Sequence, residues 1–405
     1  MSSCRRSVAN IRQQTHAMNR CARFLSALLV MALGSTAPFA QTTPAADSPE
    51  TSASKGSKIR SAEDGWLDVS AFVDQAYGFL PIVMPITEPA VGFGAVGALA
   101  FIDKQNPEAG AGFGRPNISV IGGLGTENGT RGLVVGDIRY WLDDRLQTLV
   151  GAIKASVNLD YYGTGESGFR NTNPHSYSID VEAALLQAKY RIGQSQNWVG
   201  LGYVLANTSV SFEAPFNLPD LSRKLRLGGL LASFSHDSRD NMFTPKDGNY
   251  LEISAAVFNP ELGGDLDFKR LTVVGMQYFP LAAKWTLGLR EDLMFNFGDA
   301  PFYLQPFVMM RGVPAMRYQG EKVAQVEAEL RWQFWERFSA VGFVGAGSAV
   351  DEFRKLTRDS NVIAGGAGLR YEIARKYGIH MGLDVAWSRD GPAVYFQVGS
   401  AWMRP

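Results

Sequence analysis

Polar and apolar side chains alternate along most of the chain beyond about residue 67. The clearest case is 323–334, where every second residue from 325 is polar and the residues between are apolar. The polar positions are Gln325, Glu327, Glu329, Arg331 and Gln333. Because successive side chains of a strand point to opposite faces, this segment predicts a strand with one polar face and one apolar face. The final segment, 394–402, repeats the alternation, and weaker versions recur from 118 to 387.

Two all-β architectures can hold so many strands. A β-sandwich buries its apolar faces between two sheets, whereas a transmembrane barrel turns them toward lipid and keeps a polar lumen. The segments run about ten residues, the length that a tilted strand needs to cross a bilayer. Aromatic residues gather near predicted strand ends, as at Tyr140-Trp141, Trp332–Trp335 and Trp402, which is typical of interfacial girdles. The pattern predicts a transmembrane antiparallel β-barrel, with a secreted sandwich or propeller as the alternative.

The connections between the predicted strands support the barrel. They alternate between short and long, as in barrels that have short periplasmic turns and longer external loops. The short ones are 142–144, 193–197 and 280–284, and the long ones are 161–176, 212–225 and 298–322. If 298–322 is external, five strands follow it, and an odd number must precede it for both chain ends to be periplasmic. Ten candidates are visible, including 91–102, so we expect one more within 68–87 and sixteen strands in all.

The N-terminal region has the pattern of an export signal. Arginines precede a short apolar stretch, 24–33, and small residues follow it up to Ala40, which predicts a secretory signal peptide over 1–40 cleaved after Ala37 or Ala40. Both cysteines, Cys4 and Cys21, lie within it. Residues 41–66 are rich in Ser, Thr, Ala and Pro and predict a flexible periplasmic linker. The barrel domain is then 67–405.

Composition narrows the function. The 39 basic and 39 acidic side chains balance, so the broad basic surface of a nucleic-acid binder is not expected. Two segments only superficially resemble functional motifs: one resembles the glycine-rich dinucleotide-binding fingerprint and the other a catalytic Ser-His-Asp set. The glycines of 92–97 lie in a β pattern with no following helix, and Ser235-His236-Asp237 are sequence neighbours that point alternate ways on a strand. We expect no catalytic residue, metal or cofactor, and an outer-membrane enzyme is only a minor alternative.

Several motifs in the second half resemble one known family. Residues 234–250 contain Asp237-Ser-Arg239-Asp240 followed by Pro245-Lys-Asp-Gly248, and Arg311-Gly312 lies further on. A Glu-Leu-Arg strand follows at 329–331, and glycine-rich strands follow at 341–347 and 366–371. In order and spacing over 225–402, these motifs resemble the bacterial surface antigen superfamily, whose members include BamA/TamA-type outer-membrane barrels.

The resemblance implies roles for individual residues. In that family the sixth external loop folds back into the lumen and its arginine pairs with a carboxylate of the wall, which here implies Arg311, next to Gly312, with Glu329 or Glu327. A planar guanidinium suits a carboxylate. The alternative is an ordinary arginine of an external loop. Two positions depart from the family pattern. Val313 replaces the aromatic residue that follows Arg-Gly, and Gly345 replaces a strand aspartate, so other acids can take part in pairing with Arg311.

The resemblance also covers a turn and the last strand. Asp237, Arg239, Asp240, Pro245 and Gly248 form its periplasmic turn motif, for which we expect a structural role through backbone hydrogen bonds and an ion pair. The last strand, with Phe396, Val398 and Trp402, resembles the aromatic C-terminal signal that assembly machinery recognises. The alternative is a strand that simply faces lipid, and both can hold together.

The resemblance implies a function in the outer membrane of a Gram-negative bacterium. Family members assist the assembly of outer-membrane proteins or move a substrate, and they commonly carry periplasmic POTRA domains. Residues 41–66 are too few for one such domain, so we expect a POTRA-less barrel that works with the lipid bilayer, client proteins and a separate periplasmic partner. The alternative is a passive pore or a structural barrel.

Overall fold

The computed structural model describes residues 59–61, 63–71, 80–103, 117–212, 224–352 and 360–402. The predicted signal peptide, 1–40, and most of the predicted linker, 41–66, lie outside the described residues, and both stay predictions.

Sixteen antiparallel strands form one sheet, in which each strand pairs with the next along the chain. The predicted all-β barrel and its strand number are confirmed. The two strands that the sequence pattern defined least clearly are β1 and β2. The strands are β1 Leu80–Ile86, β2 Gly94–Asp103, β3 Asn117–Thr126, β4 Arg131–Trp141, β5 Leu146–Tyr161, β6 His175–Arg191, β7 Asn197–Phe212, β8 Lys224–Asp237, β9 Gly248–Phe258, β10 Phe268–Ala282, β11 Trp285–Gly298, β12 Lys322–Trp335, β13 Phe338–Val350, β14 Asn361–Ala374, β15 Ile379–Ser388 and β16 Gly391–Val398.

The sheet curves into a nearly closed barrel whose apolar face points outward. On β12, Val326 is 46% exposed whereas its neighbour Glu327 is 2% exposed. The same alternation leaves large apolar side chains uncovered on the outside of most strands, for example Leu133, Leu201 and Ile363. An apolar exterior of this kind is typical of a membrane-spanning barrel. Within the described residues no helix is long and apolar enough to cross a membrane.

The two ends of the barrel differ. We call the end with connections 142–145, 192–196, 283–284, 336–337 and 375–378 the short-turn end, and the opposite end the long-loop end. Both described chain termini lie at the short-turn end, as the even strand number requires. Exposed aromatic side chains gather there, and the rings of Trp285 and Trp332 stack at 5.4 Å. These residues form part of the girdle that the sequence predicted.

Part of the segment expected to be linker packs against the barrel. We call residues 59–61 and 63–71 the N-terminal clip. Arg337, in the β12–β13 turn, contacts Asp64 at 2.6 Å and Asp68 at 2.9 Å. The Trp66 ring packs edge-on against Trp335 at 5.7 Å. The clip therefore holds the chain to the short-turn end before the first strand begins.

Replacing Arg337 should release the clip. Arg337→Met leaves two carboxylates without their buried partner, so we expect much faster tryptic cleavage after Arg60 in the folded barrel. Arg375→Met is the matched control, because Arg375 also contacts Asp64, at 3.3 Å, but is partly exposed. Equal cleavage rates for the two variants would contradict the role assigned to Arg337.

The clip should also respond to acid. Hydrogen bonds from Arg337 lower the pKa of Asp64 from 3.8 to about 2. A group whose pKa is lowered on docking stabilises the docked state above its ordinary pKa, and that contribution is lost as the pH falls through the lowered value. We expect the clip to resist pepsin near pH 4 and to be cut near pH 2, while the barrel strands resist. Equal cleavage at both values would contradict this.

Candidate functional site

The long connection between β11 and β12, residues 299–321, folds back into the lumen. The amide of Val308 donates to the carbonyl of Tyr318 at 2.9 Å, and Phe307 forms an isolated bridge with Gln319, so the two arms of the loop pair. Most of the loop is buried. Its buried side chains include Phe302, Tyr303, Leu304, Phe307, Val308, Met310, Arg311, Val313, Met316, Arg317, Tyr318 and Gln319. The loop thus fills the lumen instead of covering it from outside.

Arg311 lies at the tip of this loop among carboxylates of the barrel wall. Its Nε and Nη2 both donate to Glu327 Oε1, at 3.0 and 2.8 Å. Its Nη1 lies 2.7 Å from Glu329 Oε2 and donates to Asp384 Oδ2 at 2.9 Å. The guanidinium also lies over the ring of Phe343, 3.6 Å from its centroid. The structure therefore brings together all the acids named from the sequence and adds Asp384, from β15.

The acids around Arg311 are shared with other arginines of the wall. Asp384 also accepts from Arg370 Nη2 at 2.8 Å. On the other side, Arg290 pairs with Asp292, and its Nη1 lies 3.9 Å from Glu327 Oε2. Charges of opposite sign therefore alternate across the lumen from β11 to β15. Removal of one member leaves a buried charge uncompensated, which is the costly case for a buried ion pair.

Gly312 lets the loop approach the strands opposite β12. Its φ is +89°, and a Cβ there would lie 3.2 Å from Ala386 Cβ. Its amide donates to the Tyr395 hydroxyl at 2.9 Å, and its carbonyl accepts from Ser388 Oγ at 2.6 Å. The Arg311-Gly312 pair thus connects β12 with β15 and β16 across the lumen.

The two departures from the family pattern have a structural account. A Cβ on Gly345 would lie 2.8 Å from Met310 Sδ, so the glycine leaves room for the loop. Val313 is buried in an apolar cluster with Val308 and Met310. The third carboxylate at Arg311 comes from Asp384 on β15.

A second set of contacts lies nearer the long-loop end. Arg317 pairs with Asp390 at 3.0 Å, and its Nη1 donates to the carbonyl of Gly168 at 2.8 Å. Gly168 belongs to α1 (Gly165–Arg170), in the β5–β6 connection. The rings of Phe169 and Tyr318 stack at 4.3 Å. The β5–β6 connection therefore packs on the lumen loop, a contact that the sequence reasoning missed.

The predicted turn motif lies at the short-turn end, between β8 and β9. Arg239 forms two hydrogen bonds with Asp237, both 2.8 Å, and lies over the Tyr250 ring. Asp240 Oδ1 accepts the amides of 246 and 247 at 2.9 and 3.2 Å. Gly248 has a φ of +96°. These contacts are of the structural kind expected for the motif.

The same connection reaches across the lumen. Pro245 presents its carbonyl to Arg331 Nη2 of β12 at 2.6 Å. Asn241 Nδ2 donates to the carbonyl of Tyr377, in the β14–β15 turn, at 3.0 Å. The turn motif thus lies beneath the lumen as well as joining two neighbouring strands.

Only part of the predicted C-terminal strand signal lies in the last strand. Phe396 and Val398 lie in β16, as expected, but β16 ends at Val398. The prediction that the last strand runs to Trp402 is wrong. Trp402 is 4% exposed and packs in the lumen against Tyr278 of β10, with ring centroids 6.2 Å apart. The period-two pattern continues past the strand because it does not register the turn at Gly399, whose φ is +76°.

The sequence analysis did not identify Asp384 and Arg370 as site residues, although each is a charged side chain in a strand dominated by apolar and glycine residues. Their phase along β15 and β14 places them on the lumen side, which was the available signal. Among the described residues, no group of three or more acids, histidines or cysteines is arranged to hold a metal ion.

Comparison with known proteins agrees with this architecture. Residues 139–309 match the Omp85 superfamily domain. No curated protein sequence matches the chain. Barrels of the Omp85 family reside in the Gram-negative outer membrane, where they serve protein assembly or secretion with partners and client proteins.

Solved structures share the fold at low sequence identity. BamA from Haemophilus ducreyi lacking POTRA domains 1–3 is 13% identical, with a TM-score of 0.52 over 85% of this chain and 80% of that one. CdiB from Escherichia coli is 13% identical, with a TM-score of 0.56 over 78% and 61% of the two chains. CdiB from Acinetobacter baumannii is 10% identical, with a TM-score of 0.50 over 79% and 59%. The chain thus spans about three fifths of each CdiB. Residues 139–309, which match the Omp85 superfamily domain, thus lie within a sixteen-stranded barrel whose fold is similar to those of BamA and CdiB.

Proposed function

We propose that this chain assists outer-membrane protein assembly, or moves a polypeptide substrate, as a non-catalytic barrel whose lumen is held closed by its own loop. Client proteins and a separate periplasmic partner belong to this proposal. Its support comes from the two edges of the sheet, from the filled lumen and from the fold shared with BamA and CdiB.

The observation that carries the proposal is the junction between the first and last strands, which we call the seam. β1 pairs with β2 and β16 pairs with β15, and the described residues form no ladder between β1 and β16. A side chain bridges the gap instead, because the amide of Phe396 donates to Thr87 Oγ1 at 3.1 Å. Unpaired strand edges are costly in a bilayer and accept added strands readily. A seam of this kind supports a function in which an extended client segment pairs with the barrel.

The filled lumen argues against a passive pore. A pore of sixteen strands needs a water-filled channel, whereas here loop 299–321 occupies the interior and the β5–β6 connection packs on top of it. The ion pairs of Arg311, Glu327, Glu329 and Asp384, which we call the lumen lock, attach the tip of that loop to the wall. We infer that the lock keeps the lumen closed until a client or a partner displaces the loop.

Arg311→Ala should destabilise the folded barrel. Three carboxylates lose their shared cation. Removing one partner of a buried ion pair lowers the free energy of unfolding by ~3–5 kcal/mol. We expect the folded form to convert to the unfolded form at a lower temperature, measured by its changed migration in gel electrophoresis after heating. Arg131→Ala is the control, because Arg131 is exposed. An unchanged conversion temperature for Arg311→Ala would contradict the lock.

Crosslinking from the seam tests the function. A photoreactive residue at Val83 of β1 or Val394 of β16, both exposed on the outer surface, should capture newly made outer-membrane proteins in cells. Ile363, on the outer surface of β14, is the matched control. We expect adducts from the seam that exceed those from the control. Equal yields in a folded, well-expressed barrel would contradict a client-handling role and favour a passive or structural barrel.

A further inference from the structure

An acidic side chain interrupts the apolar outer surface of the barrel on β11. Odd-numbered residues of this strand face outward, since Leu293 and Phe297 are 41% and 52% exposed whereas Asp292 is 1% exposed. Glu291 has the same phase as the outward residues. It is the middle one of seven outward positions, and the other six are apolar: Trp285, Leu287, Leu289, Leu293, Phe295 and Phe297. A carboxyl group therefore lies on the outer wall near half the height of its apolar surface.

A glutamine of the neighbouring strand lies beside this carboxyl group. With its amide oriented to satisfy both groups, Gln277 of β10 donates from its nitrogen to the two Glu291 carboxylate oxygens, at 3.2 and 3.3 Å. Gly275 lies directly opposite Glu291 on β10. A Cβ on this glycine would lie 3.1 Å from Glu291 Oε2, so the glycine leaves the space that the carboxyl group occupies. We call Glu291 and Gln277 the outer polar pair.

Lipid is a poor environment for the outer polar pair. Acidic side chains are rare and unfavourable on a surface that faces hydrocarbon, because lipid tails offer them no hydrogen bonds. Among the described residues, no basic side chain forms an ion pair with Glu291. The amide of Gln277 uses only part of the hydrogen-bonding capacity of the carboxyl group, and its own oxygen can accept as well. The pair therefore marks a place where a polar partner would stabilise the wall better than lipid tails do.

The wall next to the outer polar pair carries short side chains. On β12, Val326 lies opposite Glu291 and is 46% exposed. The outward positions on either side of it are Ala324 and Ala328. Small residues let two membrane-embedded surfaces approach closely, as they do between transmembrane helices. With Gly275 on the other side, the polar pair is flanked by surfaces that let a second wall come within hydrogen-bonding distance.

A second copy of this chain matches the outer polar pair in depth and in chemistry. A two-fold axis along the membrane normal brings the same patch of two copies together and leaves the depth of every residue unchanged. The carboxyl and amide groups of one copy then meet those of the other within the apolar layer. Carboxyl and amide groups are complementary, because the amide supplies both a donor and an acceptor. The patch is therefore self-complementary.

We propose that the outer wall of β10–β12, centred on Glu291, Gln277 and Gly275, is an interface within the bilayer at which two copies of this chain associate. Four strands, β13–β16, separate this wall from the seam, so the seam of each copy stays uncovered in the dimer. The inference needs only a membrane-spanning barrel, and it stands whether or not clients enter at the seam.

Crosslinking between copies tests the proposal. Val326→Cys, with Cys4→Ser and Cys21→Ser, places one thiol beside the outer polar pair of the purified, folded chain in lipid vesicles at low protein density. Ile363→Cys on β14, where the side chain is 68% exposed, is the matched control. We expect a bifunctional maleimide to yield abundant dimer from Val326→Cys and little from Ile363→Cys. Equal dimer yields would overturn the proposal. Monomer from both would also overturn it and would leave lipid or another protein as the occupant of the wall.

Removing the polar pair separates an interface role from a structural one. Glu291→Leu with Gln277→Leu, added to Val326→Cys, replaces both polar groups by side chains that suit lipid. We expect the dimer yield to fall about tenfold, as for the loss of hydrogen bonds between membrane-embedded surfaces. The folded barrel should resist heat at least as well as before. Glu182→Leu is the control, because that outward carboxylate pairs with Lys154 on other strands. An undiminished dimer yield would overturn the proposal, and so would a loss of dimer that accompanies loss of the folded barrel.

Discussion

The burial of one guanidinium determines how the loop, the lumen and the sheet fit together. Arg311 enters the lumen at the tip of a loop and finds Glu327, Glu329 and Asp384 on two separate parts of the wall. A charge of either sign alone in that interior would be strongly unfavourable. The loop cannot leave without exposing the carboxylates to one another, and the wall therefore favours the loop's return.

That constraint explains the small residues around the loop. Gly312 is needed where the backbone passes close to Ala386, and Gly345 makes room for Met310. The loop also carries Arg317, whose contacts with the β5–β6 connection and Asp390 extend the closure to the long-loop end. At the opposite end, the β8–β9 connection and residues 399–402 lie beneath the lumen. Contacts among the described residues thus cross the interior near both ends, while β1 and β16 form no ladder at the seam.

The sequence predicted the fold because a membrane-spanning barrel repeats one local rule on every strand. Alternation alone defines the outer face, and the spacing of turns gives the strand number. The pairing of Arg311 with Glu329 or Glu327 was implied by the resemblance of its motifs to a known family. Asp384 could not, because it lies 73 residues from Arg311 and its proximity depends on the closure of the sheet. The clip around Trp66 and the inward turn at Gly399 depend on contacts with distant turns, which periodicity does not register.

The central claim is that the lumen is closed by a loop attached through Arg311. Single-channel conductance of the purified barrel in a planar bilayer tests it most directly, with Arg311→Ala compared beside the parent. The account predicts a small, intermittent current for the parent and a larger, steadier current for the variant. A large, steady current from both proteins would show an open pore and would contradict the account.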